Sequence, residues 1–109
     1  MKRSLIIILL TTSVLLTGCD FSARSDLRSA EAALKEADKV HAEHWAEREY
    51  RKAEVALGEA QAYARVNEVN LARDKAAEAK SWAQEAIELS LKRAAEMEAE
   101  KDRLGGYKP

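Results

Sequence analysis

The 109-residue sequence contains one cysteine, one proline, one phenylalanine and only four glycines. With Cys19 as its only thiol, the chain cannot form an internal disulfide, so stability has to come from helix propensity and packing. Between residues 19 and 104 proline is absent and Gly58 is the only glycine, so little in this stretch interrupts a helix. Aromatic residues make up only 6% of the chain. A core with few large side chains buries little apolar area, and we therefore expect modest stability or a partner.

An excess of basic residues is also absent. Two of the 18 basic residues, Lys2 and Arg3, lie near the N-terminus, which leaves 16 basic and 19 acidic residues from Cys19 onward, a net charge of −3. Nucleic-acid binding calls for a basic face, and this composition argues against it. The 91 residues that start at Cys19 suffice for one small domain.

The one long apolar run of the sequence lies at its N-terminus. Lys2 and Arg3 precede an uncharged stretch, residues 4–17, that is rich in leucine and isoleucine. A basic segment, a short apolar segment and a small-residue cleavage site together are typical of a secretory signal peptide, and the run is too short to span a bilayer comfortably. We expect residues 1–18 to be removed on export.

The end of this signal resembles the lipobox of bacterial lipoproteins. That consensus is an aliphatic residue, two small residues and cysteine, and here it reads Leu16, Thr17, Gly18 and Cys19. The resemblance implies cleavage between Gly18 and Cys19, a diacylglyceryl group on the Cys19 thiol and acylation of the new amino terminus. Two or three acyl chains hold a protein at a membrane far more firmly than one.

Downstream, alanine is the dominant apolar residue, with 21 occurrences. Apolar or small residues recur every three or four positions, the spacing that places them on one face of a helix. We therefore predict an all-α fold, a helical hairpin or small three-helix bundle with coiled-coil-like alanine seams. The first series is Leu27, Ala30, Leu34, Ala37, His41 and His44; the second is Ala46, Tyr50, Ala53, Leu57, Ala60 and Ala64; the third is Val69, Ala72, Ala76, Ala79, Ala83, Ala86 and Ser90.

Local signals set the predicted boundaries of this domain. Ser25 or Asp26 is expected to cap the first helix, Asn67 is the preferred hinge because asparagine tolerates the left-handed conformation, and Leu104 precedes a glycine pair that ends the last helix. The first two series differ in phase, so either the helix breaks near Trp45 or the apolar stripe swings around the helix there. No breaker lies between residues 42 and 49, which favours a continuous helix. The predicted organisation is a lipidated tether at 19–25, a helical domain at 26–104 and a flexible tail at 105–109.

The alanine spacing of residues 29 to about 90 resembles an alanine-rich envelope family, domain of unknown function forty-three ninety-eight. That family implies a helical hairpin or three-helix bundle, frequent lipidation and no catalytic residues. Its usual proline and glycine are replaced by Glu47 and Asn67. The matching positions include Ala30, Ala33, Leu34, Ala37, Trp45, Ala46, Glu49, Ala53, Leu57, Ala60, Ala72, Ala76, Ala79, Ala83 and Ala86.

Two constellations are candidates for binding. Trp45, Tyr50, Tyr63 and Trp82 could form an interaction surface, although in a core built of alanine such side chains serve first as packing. His41 and His44 stand three residues apart beside Glu43 and Glu47, a spacing that could present ligands to zinc, nickel or copper from one helical turn. A stable metal site would need further ligands, so no metal is predicted, and a periplasmic metal-binding protein that uses His41 and His44 is kept as an alternative function.

The sequence contains no triad spacing or glycine-rich phosphate loop, so we do not expect an enzyme, and no cofactor is predicted beyond the lipid on Cys19. We predict a non-catalytic scaffold or adaptor that works through its alanine seams with Trp45, Tyr50 and Tyr63, binding an envelope protein or its own copies. Lys108 resembles the C-terminal lysine by which Braun-type lipoprotein is joined to peptidoglycan, although Pro109 follows it here. A covalent or non-covalent peptidoglycan tether is therefore a second alternative function. The anchored protein is expected to face the periplasm from the outer membrane, while Asp20, which resembles an inner-membrane retention signal, leaves the inner membrane open.

Overall fold

The computed structural model describes residues 23–105, and this part of the chain is helical with no strand. Helix α1 covers 23–39, α2 is the single turn Ala42–Trp45, α3 is Glu47–Arg65 and α4 is Val69–Leu104. The prediction of an all-α fold is confirmed. None of these helices is apolar over a stretch long enough to cross a membrane.

Helices α1, α3 and α4 pack as a three-helix bundle. Tyr50 near the start of α3 donates a hydrogen bond to Asp38 near the end of α1 (2.5 Å). Gln61 near the end of α3 donates to Glu31, about two turns into α1 (3.4 Å), so α1 and α3 are antiparallel. Lys75 of α4 lies 3.0 Å from Glu59 of α3, which makes these two helices antiparallel as well. Therefore α1 and α4 run in the same direction.

Alanine forms most of the bundle core, as the predicted seams required. The α4 seam, defined here as Ala72, Ala76, Ala79, Ala83, Ala86 and Ser90, is buried along its whole length. It faces Leu34 and Ala37 of α1 and Ala53 of α3 in one cluster, and Ala30, Ala56 and Ala60 in a second. Small side chains let helix axes approach closely at the cost of buried area. The hydroxyl of Ser90 is satisfied by the Ala86 carbonyl (2.6 Å).

The expectation of a continuous helix past residue 42 is wrong. His41 adopts the left-handed conformation (φ 56°, ψ 40°), and Ala46 departs from helical geometry at φ −139°. The break reverses the chain, so that Tyr50 and Ala53 pack against α1 instead of extending away from it. One left-handed residue costs about 1–2 kcal/mol, and the free energy gained by burying a whole helix face is larger than this cost.

The break also explains the difference in phase between the first two apolar series. His41 and His44, predicted to lie on the buried face, are exposed, and Ala42 and Ala46 are buried in their place. The first series therefore ends at Ala37. A phase change without a breaker residue marked the site of the turn.

The turn between α3 and α4 lies where it was predicted. Asn67 has φ 59°, and the N–H groups of Asn67 and Glu68 bond back to the carbonyls of Ala64 and Tyr63. Glu68 is the residue before α4, as expected for an acid at the positive end of a helix. Asn67 contributes to this turn by adopting the left-handed backbone conformation, because no side chain caps the start of α4.

The outer boundaries of the helical domain agree with the prediction at the C-terminal end only. The predicted cap at Ser25 or Asp26 is wrong, because residues 23–25 already belong to α1, and the predicted tether at 19–25 therefore overlaps the helix. The last helix ends at Leu104 as predicted, but Gly105 adopts right-handed helical backbone angles (φ −74°, ψ −6°) instead of the left-handed conformation. Gly106 and the remainder of the predicted tail lie outside the described residues.

Replacing His41 by glycine should stabilise the bundle, because glycine adopts positive φ without the steric cost that a β-carbon incurs. His41→Gly is expected to raise the free energy of unfolding by about 1 kcal/mol in urea titrations. His41→Val should lower it by a similar amount. If His41→Gly instead lowered it, as glycine does within a regular helix, the break at His41 would be disproved.

Candidate interaction surface

Tyr50, one of the four predicted surface aromatics, is a core residue. Its side chain is only 7% exposed and packs among Leu34, Ala53 and Ala83. The hydrogen bond to the Asp38 carboxylate, helped by burial, raises the pKa of the Tyr50 phenol well above its usual range. Tyr50 is therefore a packing and hydrogen-bonding residue between α1 and α3, and it does not belong to an interaction surface.

The other three aromatics are half-buried and lie apart from one another. Trp82 lies under the Lys52 ammonium group, 4.1 Å from the ring centroid, a cation–π contact between α4 and α3. Trp45 meets the ring of His44 edge-on, with centroids 5.1 Å apart. Tyr63 lies in the last turns of α3. The predicted aromatic surface is therefore divided: Trp82 borders a pocket between α3 and α4, and Trp45 borders an open groove at the end of α4.

The alanine seams are not available as a working surface either. The buried alanines of all three long helices are at most 4% exposed, because they face each other inside the bundle. The expectation that the seams contact a partner is corrected accordingly: within residues 23–90 they hold the bundle together. A partner that binds a seam has to use a part of it that no other helix of the bundle covers.

The two histidines line a shallow surface depression with Asp38, Glu43 and Tyr50. His41 is held there by its left-handed backbone, and His44 is exposed one turn later. In the part of the chain described, no group of three or more histidine, cysteine, aspartate or glutamate side chains is placed to hold a metal ion. The structure thus adds no third ligand to the two candidates.

The open surface lies on the last part of α4. This helix of 36 residues continues past its neighbours, and every residue of the projecting segment, defined as residues 91–104, is exposed. At 1.5 Å per residue the segment reaches about 21 Å beyond the bundle. Leu91, Met97 and Leu104 are 55%, 58% and 65% exposed. Large apolar side chains of this exposure on one helix mark a candidate interaction surface.

One stripe of the projecting segment continues the α4 seam. From Ser90 the helical spacing leads to Ala94, Met97 and Leu104, with the aliphatic stem of Lys101 between them. In the bundle, the same face of α4 is covered by α1 and α3. Beyond Ser90 both of those helices have ended, so the stripe faces a vacant helix position.

Trp45 closes the end of this stripe that lies next to the bundle. The Trp45 carbonyl accepts a hydrogen bond from the Arg93 guanidinium, which ties the α2 turn to the base of the projecting segment. The resulting groove is lined by Trp45, Ala94, Met97, Lys101 and Leu104, among others. The segment carries four basic and four acidic side chains, so apolar contact rather than net charge would govern what it binds.

The sequence carries a partial signal of this surface, because the third apolar series continues less cleanly beyond Ser90 through Met97, while the first ends at Ala37 and the second at Ala64. Unequal helix lengths in a bundle require that one helix face be left uncovered. That signal is visible only once the break at His41 and the turn at Asn67 define where the shorter helices end.

No protein-family model, no curated protein and no solved structure matches this chain. The resemblances to the lipobox and to the alanine-rich envelope family therefore stay expectations from the sequence. The predicted lipidation and cleavage site at Gly18 and Cys19, the retention signal at Asp20 and the candidate tether Lys108 all lie outside the described residues.

Proposed function

We propose that this protein is a lipid-anchored helical scaffold of the bacterial cell envelope that binds an amphipathic helix of another envelope protein along the projecting segment. The proposal joins the lipobox at Cys19 to the exposed stripe that continues the α4 seam. The protein would not act as a catalyst, and the lipid on Cys19 is the only non-protein group that the proposed function requires. The anchored chain would face the periplasm.

The continuity of the α4 seam is the observation that carries this proposal. The stripe formed by Ala94, Met97 and Leu104 lies in line with the residues that receive α1 and α3. A helix placed on the groove would stack end-on above those helices and contact α4 in the same close-packed manner. Trp45 offers an aromatic anchor at the base of the groove, and residues of this type dominate binding energies.

The same geometry favours a different protein over a second copy. Two copies anchored through Cys19 in one membrane would stand parallel, with their projecting segments at the same height. Below Ser90, however, the seam face of each α4 is covered by its own α1 and α3. These helices would hold two facing α4 helices farther apart than the 8–10 Å at which helices pack.

In-cell photocrosslinking tests the proposal. A photoreactive amino acid at Met97 should yield an adduct with one partner protein, because Met97 lies on the groove face. The matched control is Ala99, which is also exposed but lies about 200° around the same helix. We expect at least about tenfold more adduct from Met97, with the crosslinked peptide located in an amphipathic helix of the partner.

Two further variants complete this experiment. Trp45→Ala should reduce the Met97 adduct severalfold, and Cys19→Ser should abolish it because the chain would no longer be held at the membrane. Adducts of equal yield from Met97 and Ala99, or adducts that contain only a second copy of this chain, would contradict the proposed function.

A further inference from the structure

The end of the bundle opposite the projecting segment carries a second exposed apolar group. Val66 is 66% exposed, Val69 37% and Leu71 44%, and all three lie within six residues at the turn between α3 and α4. We call these three residues the turn cluster. A loop end that must only reverse the chain has no need of three exposed aliphatic side chains, and polar residues are usual there. Such a cluster indicates contact with another apolar phase.

The first turns of α1 lie beside the turn cluster. Arg73 of α4 pairs with Asp26 of α1 at 3.0 Å, and Leu27 packs against the core cluster that contains Ala76. Because α1 and α4 are parallel, residue 23 lies level with the first turn of α4. The N-terminal end of the described chain and the turn cluster are therefore at the same end of the bundle.

This position fixes how far the turn cluster can be from the expected lipid. Cys19 precedes residue 23 by four residues, and a chain of four residues spans at most about 14 Å in any conformation. An acylated Cys19 thus holds this end of the bundle within about 14 Å of the acyl chains and leaves the opposite end farther away. Among the described residues, the turn cluster is the exposed apolar group nearest to the expected lipid anchor.

The charges around the turn cluster fit an anionic lipid surface. Arg24 and Arg28 of α1 and Arg65 at the end of α3 are all exposed at this end of the bundle. Of the acids there, Asp26 is paired with Arg73, and Glu68 and Asp74 are exposed. Arg24 and Arg28 stand four residues apart and so project from one face of α1. Basic side chains around an apolar group are typical of proteins that rest on membranes containing anionic lipids.

From this placement we infer that the turn cluster is a membrane-docking surface: Val66, Val69 and Leu71 enter the lipid interface, while Arg24, Arg28 and Arg65 contact anionic headgroups. The inference rests on the proposed lipid anchor and adds an orientation to it. Docked in this way, α4 stands off the bilayer, and its projecting segment lies about 33–53 Å from the turn. The segment then meets partners that approach from the periplasmic side.

Depth-dependent quenching tests this orientation on the full lipidated chain. The native cysteine is blocked by the lipid, so Val69→Cys provides one thiol for an environment-sensitive fluorophore, and Met97→Cys provides the matched exposed control. The protein is reconstituted in vesicles of phosphatidylethanolamine and phosphatidylglycerol that contain spin-labelled lipid. We expect about twofold or greater quenching at position 69 and none at position 97, with weaker quenching in phosphatidylcholine vesicles that lack anionic lipid.

Flotation of the same vesicles separates failure of this inference from failure of the proposed function. If the chain does not float with the vesicles, the anchor is absent and both proposals fall. If the chain floats but position 69 is quenched no more than position 97, only the docking surface is disproved. A dimer in solution that Val66→Ser and Val69→Ser together dissociate would assign the turn cluster to a second copy and also overturn the inference.

Discussion

Ala83→Leu is expected to destabilise the bundle severely. Ala83 has no exposed surface and lies where the α4 seam meets Ala53 and Tyr50. Three additional carbon atoms cannot be accommodated between helices that approach on alanine, so the helices must separate or the leucine must adopt a strained rotamer. Overpacking of this kind costs about 1–3 kcal/mol and sometimes more. In so small a domain that is a large part of the total stability.

Ala77→Leu is the matched control, because Ala77 is exposed on the same helix. Leucine and alanine have similar helix propensities, and surface substitutions usually change stability by less than about 0.5 kcal/mol. Urea or thermal unfolding followed by circular dichroism measures both variants. Equal stability of Ala83→Leu and Ala77→Leu would mean that the α4 seam is not buried as described.

Tyr50→Ala should be at least as damaging, because Tyr50 is the one aromatic side chain among the described residues that is buried in the core. Replacing a buried aromatic residue by alanine costs about 3–5 kcal/mol through lost burial and the cavity left behind. Tyr50→Phe keeps the ring and loses only the hydrogen bond to Asp38, which should cost about 1 kcal/mol. The difference between the two variants, measured by denaturant unfolding, separates packing from hydrogen bonding. Equal losses would show that Tyr50 serves mainly through its hydroxyl group.

The same residue predicts an alkaline loss of stability. The pKa of the Tyr50 phenol is raised in the folded state by the hydrogen bond to Asp38, so the folded chain keeps this proton more tightly than the unfolded chain does. The stabilisation is complete below the unfolded pKa of about 10 and is lost as the pH rises from there toward the folded pKa. Tyr50→Phe should abolish this component of the pH dependence.

Helix type, the seams and the turn at Asn67 could be predicted because each depends on local spacing or on one residue's backbone preference. Spacing alone predicts that the α4 seam lies on one face, and the structure buries all six of its residues, although Val69, the first member of the predicted series, is 37% exposed. Asn67 was identified by its tolerance of positive φ. These predictions needed no knowledge of which helices contact each other.

The break at His41 could not be predicted in the same way. Histidine adopts positive φ more often than most non-glycine residues, but this preference is too weak to mark a turn before the stretch from Ala42 to Glu49, which favours a helix by propensity. The break forms because folding α3 back onto α1 buries Tyr50 and Ala53. The free energy gained by this burial depends on tertiary contact, and it outweighs the steric cost of the left-handed backbone at His41. The phase change near His44 was the local trace of this event.

The candidate surfaces depend even more on tertiary structure. Trp45, Tyr50, Tyr63 and Trp82 look alike in a sequence, but the fold buries Tyr50, pairs Trp82 with Lys52 and leaves Trp45 at an open groove. Likewise, Val66 and Met97 are ordinary apolar residues until the ends of the shorter helices are known. Exposure of an apolar residue is set by its neighbours rather than by its own identity.

Both proposals depend on the lipid at Cys19, and mass spectrometry of the protein isolated from its native membrane tests that claim most directly. We predict an N-terminal peptide that begins at Cys19, with a diacylglyceryl group on the sulfur and an acyl group on the amino terminus. An unmodified Cys19, or a mature chain that still contains residues 1–18, would contradict the account.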